Sequence, residues 1–337
     1  MINISAITDE MRTAIGTFPI PTFEPEEVTK WAIMRYAAAT EDPNPLLVDE
    51  EYAKRTRWGG IVAPPCFAEN FSPSNRCYRE HGGEEEPNPF PFKLPFGSTY
   101  YANEDMEFLL PIRPRDTIYC KCVFSDVYEK ESTHGAGKLI FLVFDKKYYN
   151  QSNEVVTISK WTEALVESPP LAALNKSPSV PGRTVNPAVI NHTQIYFDDI
   201  DIGVPVPSME KRISMSTIAK WAGASGDTGR VHFDHEFMKN VFGVPDVFAH
   251  GPLNIAYLAQ LITNWIGDSG VLKKHSAQLR GNVFPGDIIT FEGKVTSKYE
   301  QQKERFVECE TWAKNQHNQK VTIANSTFTL PSRKRNQ

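Results

Sequence analysis

Apolar and polar residues alternate through four runs of the first half: GSTYYANEDMEF, RPRDTIYCKCVFSDVYEK, KLIFLVFDKKYY and EVVTISKWTEALV. A period of two predicts half-buried antiparallel strands. In DTIYCKCVF the pattern puts Ile118, Cys120, Cys122 and Phe124 on one side. The same alternation returns late in the chain as HSAQLRGNVFPGDIITFEGKVTSKYE, ERFVECETWAKN and KVTIANSTFTL. Helical spacing precedes each strand block. PEEVTKWAIMRYAAAT predicts a helix from Pro25, with Val28, Trp31, Ile33, Met34 and Ala37 or Ala38 as its apolar stripe. SMSTIAKWAGAS predicts a short helix. GPLNIAYLAQLITNWIGDSG predicts a long one, with Ile255, Leu258, Ile262 and Trp265 on its buried face and Gly267 near its end. The fold class is therefore α+β.

The two blocks are copies of one plan. RYAAATEDPNPLLVDEEY lies over KWAGASGDTGRVHFDHEF without a gap, so Asp42 falls on Asp227, Asn44 on Gly229, Leu47 on His232 and Asp49 on Asp234. IRPRDTIYCKCVF echoes VFPGDIITFEGKV, with Asp116 over Asp287. This predicts an N-terminal domain over residues 1–165, a Pro-rich linker over 166–192 and a C-terminal domain over 193–337. Residues 1–24 read as a lead-in segment. The stretch HGGEEEPNPFPFKLPFG, residues 81–97, reads as an ordered loop or a cover over a cavity.

A net charge of −5 removes the basic surface that nucleic-acid binding needs. Arg333, Lys334 and Arg335 read as a solvated tail. No apolar run is long enough to cross a bilayer, and the N-terminus lacks the pattern of a signal peptide. Five cysteines without framework spacing point to a reducing, cytoplasmic setting.

The candidate chemistry lies between Trp221 and Gly251. Gly226 precedes Asp227, and Thr228 and Gly229 follow it on the way to His232, so a turn, not a helix, aims both side chains. An acid and an imidazole aimed at one point move protons to and from water. His250-Gly251-Pro252 opens the long helix, where the Gly251 amide is free to meet a developing oxyanion. The bland alternative is a turn-capping Asp beside a satisfied histidine. His232 and His235 also suggest a metal pair, but no further ligands at coordinating spacing accompany them. His250 reads as a residue orienting the turn through a hydrogen bond. Arg230 has several partners in reach: Asp227, Asp234, a ligand phosphate or solvent.

The segment resembles the signature of the R-specific enoyl-CoA hydratases, also called hydratase-2 or MaoC-like dehydratases. Ser225, Gly226, Asp227, His232, Asp234, His250 and Gly251 match that signature in order. Gly229 and Arg230 stand where the family has Asn and Pro. The resemblance implies a double hotdog, two antiparallel sheets each wrapped around a helix. It implies reversible hydration of a trans-2-enoyl-CoA to a (3R)-3-hydroxyacyl-CoA or the reverse dehydration, with Asp227, His232 and Gly251 catalytic and Ser225, Arg230 and His250 binding the substrate. The first half has no histidine at the motif, and Ala63-Pro64-Pro65 replaces the His-Gly pair. Proline has no amide hydrogen to donate, so this half reads as a non-catalytic, acyl-binding copy. Phe67, Phe71, Phe90, Phe92 and Phe96 nearby suggest a bulky or long acyl group.

Such chemistry requires no cofactor beyond the CoA of the substrate, and no metal. The partner expected is an acyl-CoA thioester, not nucleic acid or membrane. A double-hotdog chain can stand alone or pair again as a homodimer. Two other functions fit such a fold: an acyl-CoA thioesterase, and a non-catalytic acyl-CoA-binding subunit.

Overall fold

The structure is a computed structural model that describes residues 5–17, 23–75, 90, 92–133, 136–168, 184–186, 193–244 and 246–333. Most of the expected linker and of the 81–97 loop lies outside these residues.

Five strands come from each half: β1 (Glu26–Glu27), β2 (Ser98–Phe108), β3 (Thr117–Glu131), β4 (Lys138–Tyr149) and β5 (Val155–Val166), then β6 (Pro205–Arg212), β7 (Val271–Leu279), β8 (Ile288–Gln301), β9 (Glu304–Lys314) and β10 (Lys320–Thr329). They form one sheet in the order β1-β3-β4-β5-β2-β7-β10-β9-β8-β6. The order is mirrored about the β2–β7 junction, where Asn103 to Glu107 pair antiparallel with Gln278 to Lys274. The helices are α1 (Asp9–Ala14), α2 (Lys30–Ala39), α3 (Glu50–Arg55), α4 (Met215–Ser225), α5 (His235–Phe237) and α6 (Gly251–Ile266).

Duplication reaches the hydrogen bonds. Asp116 accepts from the Arg113 amide at 2.7 Å and Asp287 from the Phe284 amide at 2.8 Å, so each turn into its strand is closed alike. Gln151 donates to Asp116 at 3.1 Å, and Gln316 donates to Asp287 at 2.8 Å. Asp49 caps α3 and Asp234 caps α5 through the amide three residues on.

α6 is buried nearly all round, from Leu253 to Ile266, as a helix at the centre of a protein must be. It packs on strands of its own half and on the 3-10 turn Pro65–Phe71 of the other. Among the described residues the first half has no long helix of its own at that place.

Two helical expectations need correction. The first helix begins at Lys30, not at Pro25. Glu26 and Glu27 pair with Ile118 and Thr117 instead, and Thr29 caps the helix by accepting from the Ala32 amide at 3.0 Å. Trp31 is not on the buried stripe: it is 65% exposed, and Ile33, Tyr36, Ala37 and Ala39 face inward. Trp31→Gln is expected to change stability by less than about 0.5 kcal/mol in urea unfolding, as for an ordinary surface position. Phe67, Phe71, Phe90 and Phe92 are core residues that pack on one another and on Phe124 and Phe144. Cys66, Cys120, Cys122 and Cys309 are buried free thiols. Among the described residues no helix is long and apolar enough to cross a membrane.

Candidate active site

α4 stops at Gly226, whose left-handed backbone (φ 83°) turns the chain sharply. In the first half Glu41 takes the same conformation (φ 48°) after α2. The next residue in each half closes an Asx turn: Asp227 accepts from the Gly229 amide at 3.1 Å, and Asp42 from the Asn44 amide at 3.1 Å. A 3-10 turn, Arg230–His232, then carries His232 back over Asp227.

His232 is 6% exposed. Its Nδ1 lies 2.8 Å from the carbonyl oxygen of Phe248. A carbonyl only accepts, so Nδ1 carries a proton, and in the tautomer with that single proton Nε2 is bare towards Asp227. The Nε2–Oδ2 distance is 3.7 Å, too long for a direct hydrogen bond. Two acceptors thus face each other with a gap between them. A water that donates one hydrogen to each fits that arrangement and leaves its lone pair pointing outward.

His250 is fully buried and stacks on His232, with ring centroids 3.5 Å apart. Its Nε2–H donates to the backbone carbonyl of Asp227 at 3.1 Å, which fixes the turn from behind. Burial, then the neighbouring His232, hold His250 down to about 3, so it is uncharged at neutral pH. Burial alone would favour the neutral acid at Asp227. The two imidazoles and the Gly229 amide outweigh it, and the carboxyl stays below its ordinary range.

Gly251 begins α6, and the first-turn amides of a helix have no acceptor within it. A Cβ here would come within 3.2 Å of Tyr101 Cβ on β2 and collide with Leu279. The first half therefore walls the start of α6. Nothing in the local sequence around Tyr101 or Phe248 marked either as a neighbour of the site; only strand pairing and the fold of residues 233–248 bring them there.

The other sequence candidates are placed as follows. The Ser225 hydroxyl donates to Trp221 O at 2.9 Å and accepts from the Asp227 amide at 3.2 Å, so both roles serve the turn. Arg230 donates twice to Asp234, at 3.0 and 2.7 Å, and stacks over Phe237. His235 is not part of the cluster: it pairs with Asp246 at 2.8 Å and is exposed. Asp227, His232 and His250 hold ligand atoms within 4.8 Å of one another, so they are also the residues that could hold a cation. The proton on His250 Nε2 would have to leave Asp227 O for that nitrogen to coordinate. A Cβ on Gly229 would lie 3.3 Å from Asp227 Oδ1 and 3.8 Å from His232 Cδ2, so the absent side chain leaves that flank of the pair open.

The first-half motif is built differently. Leu47 occupies the place of His232, and Asp42 is held by Asn264 Nδ2 at 3.2 Å. Asn44 caps the following 3-10 turn. A cavity of about 240 Å³ opens there, lined by Asn44, Leu47, Val62, Leu110, Ile266 and Leu272 among others. It lies at the C-terminal end of α6. Asp227 lies at the other end, about 20 Å away by helix rise.

A ten-stranded sheet of two mirrored halves over a buried helix is the double hotdog fold. Two family models match successive parts of the chain, a FAS1-like dehydratase region in the first half and a MaoC like domain in the second. Residues 201–317 match the MaoC like domain, and residues 14–159 the FAS1-like dehydratase domain region. A UPF0336 protein of Thermobifida fusca (strain YX) is 29% identical over 104 residues, 31% of this chain. That match spans 64% of the relative's length. A solved MaoC-like dehydratase superposes with a TM-score of 0.72 at 22% identity, covering 96% of this chain and 99% of its own. A conserved hypothetical protein of Mycobacterium tuberculosis with a double hotdog fold superposes at 0.61 with 10% identity, covering 93% and 96%. At these identities the superpositions speak for the fold alone.

Proposed function

We propose that the chain catalyses reversible hydration of a trans-2-enoyl-CoA to a (3R)-3-hydroxyacyl-CoA, residues 193–337 carrying the chemistry and residues 1–165 a non-catalytic, acyl-binding copy. The observation that carries this reading is the 3.7 Å gap between two acceptors, Asp227 Oδ2 and His232 Nε2, at the start of α6. The pair holds a water by both hydrogens and takes one proton as the hydroxide adds to C3. The same proton returns to C2, so one water is added and nothing else is consumed. The Gly251 amide meets the thioester oxygen as negative charge develops there. His250, neutral and buried, positions Asp227 and does not exchange protons.

A bulky or long acyl group is supported by the cavity at the first-half motif, not by the phenylalanines, which are core. A separate gap of about 10 Å³ beside Ala256, Ala259, Pro65 and Cys66 shares Asp42, Pro64 and Thr263 with the lining of that cavity. Leu110 stands at the cavity rim and is 40% exposed. Leu110→Trp is expected to lower kcat/KM for long or ring-bearing enoyl-CoAs about tenfold and to leave crotonyl-CoA unchanged. Equal loss on both would remove the acyl assignment.

The experiment that tests the reading follows the loss of enoyl-thioester absorbance on a panel from short to ring-bearing trans-2-enoyl-CoAs. Turnover of any member supports it. Release of free thiol from a saturated acyl-CoA would replace it by a thioesterase. Binding of acyl-CoA without turnover of any kind would replace it by a carrier role.

A further inference from the structure

Glu163 is a buried carboxyl of the first half for which the mechanism above has no use. It lies on β5, directly paired with Tyr101 on β2 and with Leu142 on β4. Directly opposed residues in a sheet present their side chains on the same face. That face is the inner one: Leu142 is fully buried, and Tyr101 packs against Gly251 at the head of α6. Glu163 therefore rises from the sheet beneath the point where the thioester oxygen is received.

Its surroundings are short of positive charge. Glu163 is 8% exposed, and among the described residues no ion pair includes it. Lys146 on β4 faces the same interior, but its ammonium is held by Glu69 and by Glu104 at 3.0 Å. Glu104, next on β2, is an anion on that lysine and accepts from Tyr101 at 2.6 Å. From the turn after α4 comes Asp227, also an anion, and behind it the uncharged His250 and the imidazole of His232. Thr99 on β2 and Trp161 on β5 stand within hydrogen-bonding reach of the carboxyl. A carboxyl buried without a cation, facing another carboxylate, keeps its proton. Burial first, with Asp227 adding to it, pushes Glu163 up to about 8.

We propose that Glu163 is the first half's own contribution to the site, a positioning residue that works in its protonated form so that Asp227 is the single anion beside the thioester. The inference rests on the hydratase reading of Asp227 and His232. The consequence has a definite sign. Below the Glu163 transition the site holds one anion, and enolate charge at Gly251 develops unopposed. Above it a second anion lies under the same point and repels both the enolate and a thioester polarised towards it.

The test is the pH dependence of kcat/KM for the intact chain between pH 6 and 9.5, wild type against Glu163→Gln. Wild-type activity is expected to fall above about pH 8, approaching tenfold per pH unit as one proton is lost. Glu163→Gln, which keeps the shape and a donor but cannot ionise, is expected to lack that limb, so its ratio of kcat/KM at pH 7 to that at pH 9.5 stays near one whatever its absolute rate. If the glutamine variant does not fold, Glu163→Met must remove the limb too. An alkaline limb unchanged in a folded variant, or a wild-type profile flat to pH 9.5, overturns the proposal and leaves the hydratase reading standing. If no enoyl-CoA is turned over, binding of a saturated acyl-CoA by calorimetry over the same range carries the same test. Affinity that weakens above pH 8 in wild type and not in Glu163→Gln supports the role, and equal profiles remove it.

Discussion

Asp227→Asn is expected to reduce turnover of the best enoyl-CoA by at least about 10²-fold, with little change in thermal unfolding. In the proposed mechanism the carboxylate is one of the two groups that orient the water, and it brings the negative charge. Its pKa lies below the ordinary range, so it is ionised throughout the working pH. The amide of asparagine can still accept from the Gly229 amide through its oxygen, so the turn survives. What changes is the other atom: an NH₂ group replaces Oδ2 and offers a donor where the water needs an acceptor. The water then meets one acceptor and one donor and turns away from C3. Steady-state kinetics on the best member of the substrate panel is the measurement. Near-wild-type turnover would mean that His232 alone handles the proton, or that the reaction belongs to another class.

Lys146→Met is expected to produce the largest loss of stability, about 3–5 kcal/mol in denaturant unfolding. Lys146 is 2% exposed and sits between Glu69 and Glu104 in the core of the first half. Tyr148 donates to Glu69 at 2.7 Å, and Tyr101 donates to Glu104 at 2.6 Å. Burial disfavours the ammonium, but the two carboxylates overcome it and push the lysine pKa up. Without the lysine, Glu104 is a buried anion with no cation beside it, and burial next to Glu104 pushes Glu69 up so that it keeps its proton. Replacing all three by apolar residues of similar volume should recover much of the loss, because the penalty lies in the unpaired charges and not in the absence of the ion pair itself. A single-variant loss below 1 kcal/mol would mean that the cluster is solvated or already neutral.

The fold was legible because it is written twice. Strand alternation marks β2, β4, β5, β9 and β10 nearly to the residue and runs β7 and β8 together, and the gapless overlay of residues 35–52 on 220–237 is repeated in space as an Asx turn in each half. Those turns match down to the amide each aspartate accepts. The start of α2 departs from its local signal: Pro25 and two glutamates make a good helix N-terminus, but the edge of β3 offers Glu26 and Glu27 a better partner. Propensity yields there to a tertiary hydrogen bond. Trp31 was misplaced for a related reason: once the helix begins at Lys30, the inward face is set by Ile33 and Tyr36, and the tryptophan falls outside it.

The candidate site was partly legible. Asp227, His232, His250 and Gly251 lie within one stretch of sequence, and the structure brings them within one cluster. Ser225 and Arg230 lie in that stretch too, yet their side chains are engaged with Trp221 and Asp234. Adjacency in sequence says which residues are near the turn, not which way each points. Tyr101 and Glu163 could not have been found at all from spacing. They sit far away along the chain, and only the register of β2 against β5, together with the start of α6, brings them under the site.

The single long helix has a consequence for biogenesis. The first half reaches the end of the ribosome tunnel well before α6 is made, and among the described residues the inner face of its sheet has the turn Pro65–Phe71, Phe90 and Phe92 against it but no long helix of its own. Its core cannot close until the second half delivers the missing cover. A nascent chain paused after β5 would thus offer chaperones a sticky, unfinished surface. If the gene were split at the junction, one product would carry its own helix and the other would depend on finding it.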